Sequence, residues 1–202
     1  MNILITGIHG FVGSNLVSGL NQHHTIYGLD IVSHQKDGVF KTYGWNELDQ
    51  IPPIDCIIHL AGKAHDTKCQ TTAHLYFEIN TGLTQKIFDW FLTSHAQKFI
   101  YFSSVKAVAD SVGEYILTEE VVPAPKGPYG ESKLAAEEYI GSRMGEWEKG
   151  RWGDTSTALS ASGEKGCKVA TARLNDGTME RRHEGAMRRT GEKVKRRKRY
   201  IF

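Results

Sequence analysis

Apolar side chains in the first 140 residues alternate between short solid runs and stretches with helical spacing. Ile3 to Ile5 is one such run, bounded by Thr6 and Gly7, and Thr25 to Leu29, Val39 to Tyr43, Cys56 to Leu60 and Lys98 to Phe102 repeat the pattern. Short, nearly continuous apolar runs suit parallel strands buried on both faces. Between them, Phe11 to Leu20 carries Phe11, Val12, Leu16, Val17 and Leu20 at helical intervals. Phe77 to His95 offers Phe77, Thr81, Thr84, Ile87, Phe88, Phe91 and Leu92 for one broad helical face. Trp45 to Gln50 reads as a short turn or helix before the break at Pro52 and Pro53, and a last helix runs from Tyr129 to about Ile140. Strands separated by helices predict an α/β fold, a doubly wound parallel sheet with ligands at the carboxyl ends of its strands. There is no internal repeat in the range of roughly twenty to fifty residues.

The pattern fails at Gly141, and charge changes sign with it. Residues 1 to 142 hold nine lysines, no arginine and fifteen acids; residues 143 to 202 hold sixteen Lys and Arg against eight acids, and the whole chain nets +2. Over that second stretch Leu, Ile, Val and Phe occur only at Leu159, Val169, Leu174, Val194, Ile201 and Phe202. So few large apolar side chains bury little surface to offset the entropy of ordering. The division expected is an α/β domain over 1–142 and a basic, apolar-poor tail over 143–202 that builds no second lobe. Lys168 to Leu174 is the only candidate in the tail for a sixth strand, and on period and composition the balance is against its joining the sheet. The run K-V-K-R-R-K-R from Lys193 to Arg199 reads as a solvated tail, because no aromatic interleaving accompanies it; no specific nucleic-acid partner is expected.

Other features narrow the class. No apolar run reaches the roughly eighteen residues of a membrane span, and the start lacks the profile of a signal peptide. Cys56, Cys69 and Cys167 form no C-x-x-C pair, which points to free thiols, a cytoplasmic location and no metal site. His59 reads as a hydrogen-bonded core histidine and His65 as a surface residue.

Chemistry enters at two places. Gly7, Gly10 and Gly13 fall three apart between the first strand and the first helix. Phe11 and Val12 complete a turn whose free backbone N–H groups and helix dipole suit a pyrophosphate. Asp30 ends the second strand, where an acid can accept both ribose hydroxyls of an adenine nucleotide and repels a 2′-phosphate, which favours NAD over NADP. Leu60, Ala61 and Gly62 close the fourth run with small residues that let a cofactor pass near the backbone. The fold expected is therefore Rossmann-like. Further on, Tyr129 and Lys133 sit four apart in Y-G-E-S-K, so both can face one site. An ammonium beside a phenol favours the phenolate, and such a tyrosine can move a proton to or from a carbonyl or alcohol oxygen during hydride transfer. Ser104, ending the fifth run, can hydrogen-bond that oxygen.

Taken together these pieces resemble the extended short-chain dehydrogenase/reductases, in the NAD-dependent epimerase/dehydratase branch acting on nucleotide sugars. The likeness rests on T-G-I-H-G-F-V-G at Thr6 to Gly13, Asp30, H-L-A-G at His59 to Gly62, N-T-G at Asn80 to Gly82, S-S-V-K at Ser103 to Lys106 and P-Y-G-E-S-K at Pro128 to Lys133. It covers residues 1 to about 142. The resemblance implies that Tyr129 is the acid/base, that Lys133 lowers its pKa and holds the nicotinamide ribose, that Ser104 positions the sugar oxygen, and that Asn80 lies at a family position beside the cofactor. It implies NAD as cofactor, a UDP-linked nucleotide sugar as substrate and a homodimer. Relatives that remove water carry Thr-Asp-Glu where this chain has Ser104, Val105 and Lys106, so an epimerase or a 4-ketoreductase is expected. The alternative is a truncated or frame-disrupted fragment that keeps the cofactor fold and has no turnover.

Overall fold

A computed structural model describes residues 1–64, 72–109, 121–152 and 168–174. Six parallel strands form one sheet: β1 (Asn2–Thr6), β2 (Thr25–Asp30), β3 (Lys41–Gly44), β4 (Cys56–His59), β5 (Lys98–Ser104) and β6 (Lys168–Leu174), in the order β3-β2-β1-β4-β5-β6. The order reverses direction between β1 and β4, where neither crossover covers the strand ends, and a cleft opens there. Helix α1 (Phe11–Leu20) follows β1; α2 (Ala73–Tyr76), a π turn (Phe77–Gly82) and α3 (Leu83–Thr93) form one continuous rod; α4 (Pro128–Trp152) follows β5.

Strands β1, β2 and β4 bury both faces, which is why their apolar runs lack alternation. Ile3, Ile5, Ile26 and Ile58 pack with Val17 of α1, whereas Leu4, Leu29, Ile57, Phe99 and Tyr101 pack with Phe88 and Phe91 of α3 and Ala136 and Ile140 of α4. Phe99 meets Phe88 edge-on at 4.9 Å between ring centroids and Phe91 at 5.2 Å, so three rings seat α3 on the sheet.

Three elements depart from the sequence reading. The helix expected from Phe77 begins at Ala73 and contains the π turn, one residue wider per turn than the spacing assumed. The helix expected to end near Ile140 continues to Trp152, through the boundary placed at 142. Contrary to expectation, Lys168–Leu174 joins the sheet, pairing in parallel with the whole of β5 from Lys98↔Lys168 to Ser104↔Leu174. Its small residues and single large apolar positions are what an edge strand tolerates, since only one side carries a neighbour. The fifth strand is therefore interior. His65, Cys69, Cys167 and the Lys193–Arg199 run lie outside the described residues.

Candidate functional site

The cleft at the sheet's switch point has a volume of about 700 Å³ and is lined on one side by Gly7, Gly10, Phe11, Val12 and Gly13, and on the other by Leu60, Gly62, Phe102, Tyr129 and Lys133. It thus gathers most of the residues that the sequence marked, from elements far apart in the chain.

The glycine turn is built by close backbone contact. Gly7 has φ +68°, and a methyl group there would lie 2.9 Å from the amide nitrogen of Ala61. At Gly13 a methyl group would lie 2.7 Å from the carbonyl oxygen of Gly7 and 2.8 Å from that of Ile8. Side chains at either position would push β1, α1 and the β4 turn apart. Gly10 caps α1 with extended backbone, no side chain caps the helix, and no acid occupies its first turn. The first amides of α1 have no side-chain cap and no acid in their own turn, an arrangement that suits an anion.

Asp30 stands beside this turn. One carboxylate oxygen accepts from the His9 amide at 3.0 Å and the other from the Ile31 amide at 2.8 Å, so the acid braces the glycine loop. Ala61 is buried behind Gly7, and its amide donates to the Thr6 hydroxyl at 3.0 Å.

Opposite, Tyr129 opens α4 with its ring edge against Tyr76, centroids 5.9 Å apart. One turn on, Lys133 is drawn inward to 6% exposure; its ammonium donates to the Phe102 carbonyl at 3.2 Å and lies 5.1 Å from the centroid of the Tyr101 ring. Burial pushes its pKa down to about 8, against the opposing pull of the Glu137 carboxylate. A methyl group at Gly62 would lie 3.3 Å from that ammonium and 2.9 Å from the Asn80 side-chain oxygen, so a side chain there would displace both groups. Gly130 serves similarly, its α-carbon facing the Lys106 carbonyl where α4 crosses the turn at Val105–Ala107.

Two further marked residues, Ser104 and Asn80, also sit behind the cleft and not in its wall. Ser104 is buried at the end of β5, and its hydroxyl oxygen accepts from the Lys106 amide at 3.2 Å, capping the next turn. Asn80 is buried in the π turn; its side-chain oxygen accepts from the Lys63 amide at 2.7 Å, and its side-chain nitrogen donates to the Ser132 hydroxyl at 3.0 Å. The sequence reading missed Lys63, Ala64, Phe102 and Ser103 as site residues, and all four line the cleft. Their signal was position: Lys63 and Ala64 follow Gly62 directly, and Ser103 precedes Ser104 on the strand end. Among the described residues no group of three His, Cys, Asp or Glu side chains could hold a metal ion, and no helix is long and apolar enough to cross a membrane.

Known proteins share the sequence pattern and the fold. The model of the NAD dependent epimerase/dehydratase family matches residues 3–148. The GDP-6-deoxy-D-mannose reductase of Pseudomonas aeruginosa is 32% identical over 138 residues, which is 67% of this chain and 44% of that protein. The UDP-glucose 4-epimerase of Vibrio cholerae is 32% identical over 151 residues, 69% of this chain and 46% of that protein. Among solved structures, MoeE5 in complex with UDP-glucuronic acid and NAD superimposes with a TM-score of 0.61 at 26% identity, covering 69% of this chain and 48% of that one. A UDP-galactose 4-epimerase shares the fold with a TM-score of 0.64 at 21% identity, over 86% of this chain and 55% of its own. The chain spans about half the length of these relatives.

Proposed function

The chain belongs to the NAD-dependent epimerase/dehydratase family, and we propose that its cleft binds NAD and serves hydride transfer at a sugar carbon of a nucleotide sugar, as an epimerase or 4-ketoreductase. The observation that carries this reading is Lys133, buried one turn from Tyr129 and facing the uncapped glycine turn across a single cleft. The residues fit the cofactor. Gly7, Gly10, Phe11, Val12 and Gly13 would hold the pyrophosphate on backbone amides, and Asp30 would accept the adenosine ribose hydroxyls with the lone pairs its two amide bonds leave free. Leu60, Ala61 and Gly62 let the dinucleotide lie against the β4 turn. Bound NAD supplies a hydride acceptor and, once reduced, a donor.

The chain's own residues would manage the proton. Tyr129 passes it between its phenolic oxygen and the sugar hydroxyl or ketone, with Lys133 favouring the phenolate and reaching the nicotinamide ribose. Ser104 keeps a hydroxyl proton to donate while its oxygen caps the following turn. Asn80 acts from behind, holding the Lys63 amide. A UDP-linked sugar is the substrate class favoured by the names of the relatives, and a GDP-linked one is the competitor. A second reading, NAD binding without turnover, is favoured by the scarcity of large apolar residues over 143–202, which leaves little from which to build a sugar-binding lobe.

Calorimetric titration tests the cofactor. NAD should bind more tightly than NADP, and Asp30→Ala should narrow the gap; tighter NADP binding would refute the role of Asp30, and no NAD binding would refute the reading. An assay with UDP- and GDP-linked hexoses then separates the two readings. If turnover is seen, Tyr129→Phe should cut it by roughly a hundredfold or more while NAD affinity stays within about threefold.

A further inference from the structure

His59 lies at the end of β4 with no exposed surface, beneath the cleft and not in it. The hydroxyl groups on either side of the ring assign its tautomer. The Thr6 hydroxyl oxygen already accepts from the amides of Leu60 at 3.1 Å and Ala61 at 3.0 Å, so it donates its one proton to His59 Nδ1, 2.6 Å away. The Thr84 hydroxyl donates to the Asn80 carbonyl at 2.6 Å, so at 2.9 Å it accepts from His59 Nε2. The imidazole is therefore neutral, with its proton on Nε2. Burial and then the Lys133 ammonium hold its pKa down at about 3, in agreement. The Tyr101 ring stacks on it at 5.7 Å, between the imidazole and the lysine side of the site.

The chain of bonds continues past Thr84. Asn80 presents its side-chain oxygen to the Lys63 amide and its nitrogen to Ser132, and the Ser132 hydroxyl donates to the Tyr129 carbonyl at 2.8 Å. The Thr81 hydroxyl adds a bond to the Ser132 carbonyl at 2.9 Å. One polar path thus runs from the strand before the glycine turn, through His59, to the first turn of the tyrosine helix. We propose that His59 is a positioning residue for the cleft: by donating from Nε2 to Thr84 it fixes the π turn at Asn80, and Asn80 registers the Gly62–Lys63 edge against the helix that carries Tyr129. The proposal rests on reading the cleft as the cofactor site.

The role predicts effects that loss of packing alone would not produce. Thr84→Val keeps the shape and removes both hydroxyl bonds; Thr84→Ser restores them. Hydrogen exchange of the Lys63 amide reads the far end of the path. It should speed up by about tenfold or more in Thr84→Val and in His59→Phe, and stay within about threefold of the parent in Thr84→Ser, while the Ile57 and Ile58 amides of β4 are unchanged. Nitrogen-15 NMR of the parent at neutral pH should show Nδ1 bare and Nε2 protonated. A protonated Nδ1, or a Lys63 amide indifferent to Thr84→Val, would overturn the proposal, and Thr84→Val decides the matter if the His59→Phe chain fails to fold. NAD affinity, measured alongside, should fall by roughly tenfold in Thr84→Val and recover in Thr84→Ser. A parent that does not bind NAD counts against the cofactor reading, and the exchange pattern still decides the role of His59.

Discussion

Lys133 pairs its proposed role with a cost in stability. Its ammonium is buried with one carbonyl acceptor and a ring face, and its pKa drops from 10.5 to about 8. The unfolded chain then binds more protons than the folded one between those two values, so this residue adds stability as pH rises through that window. The full swing is on the order of 3 kcal/mol before other groups are counted. Lys133→Met should therefore raise the urea midpoint of the cofactor-free protein at pH 7, and the advantage should shrink as the pH approaches 10.5. NAD affinity should fall in the same variant. A variant less stable than its parent at every pH would mean that the ammonium is better satisfied than its surroundings indicate. The serine pair illustrates what remains hidden at this scale. The sequence marks a hydroxyl at the end of β5, yet Ser103 lines the cleft while Ser104 turns to the Lys106 amide, because the pleat of the strand end decides which side each faces.

Among the elements, those that bury both faces were the most legible. β1, β2 and β4 lie within a residue or two of their apolar runs, since burial on two sides demands continuous apolar residues. The π turn was invisible, because its extra residue changes no residue type and is fixed by the bonds around Asn80 and Thr84. β6 was misjudged for a related reason: K-V-A-T-A-R-L has little apolar content of its own, and it is pairing with β5 that makes it a strand. A chain ended after Trp152 tests that pairing. It would expose the Lys98–Ser104 edge, and sedimentation should show more self-association than in the full chain. Identical sedimentation of the two would argue that β6 contributes nothing to covering the edge.

For the molecule as a whole, one cleft draws on residues from Gly7 to Lys133, so a ligand there ties both halves of the sheet together. NAD at about a hundred times its Kd should raise the unfolding free energy by about 2.7 kcal/mol, read as a shift in the thermal midpoint. Amides in the glycine turn and at the start of α4 should both gain protection from exchange; protection confined to the turn would mean that the two walls do not share a ligand. The doubly wound arrangement was legible in the alternation of runs and helical stretches, and the glycine turn and tyrosine helix pointed to opposite walls of one site. The depth of each side chain was not legible, because Asn80 and Lys133 are held by neighbours more than twenty residues distant in sequence.

The pairing of β5 with β6 also sets an order of events during synthesis. Every other strand partner in the sheet is available once residue 104 has been made, whereas β6 begins only at Lys168. A nascent chain can therefore assemble five strands and then wait, with the seven residues of β5 open to any other extended segment in the cell, until its own last strand arrives. Yield of native protein should depend on how quickly translation crosses that interval and on chaperones that shield the waiting edge.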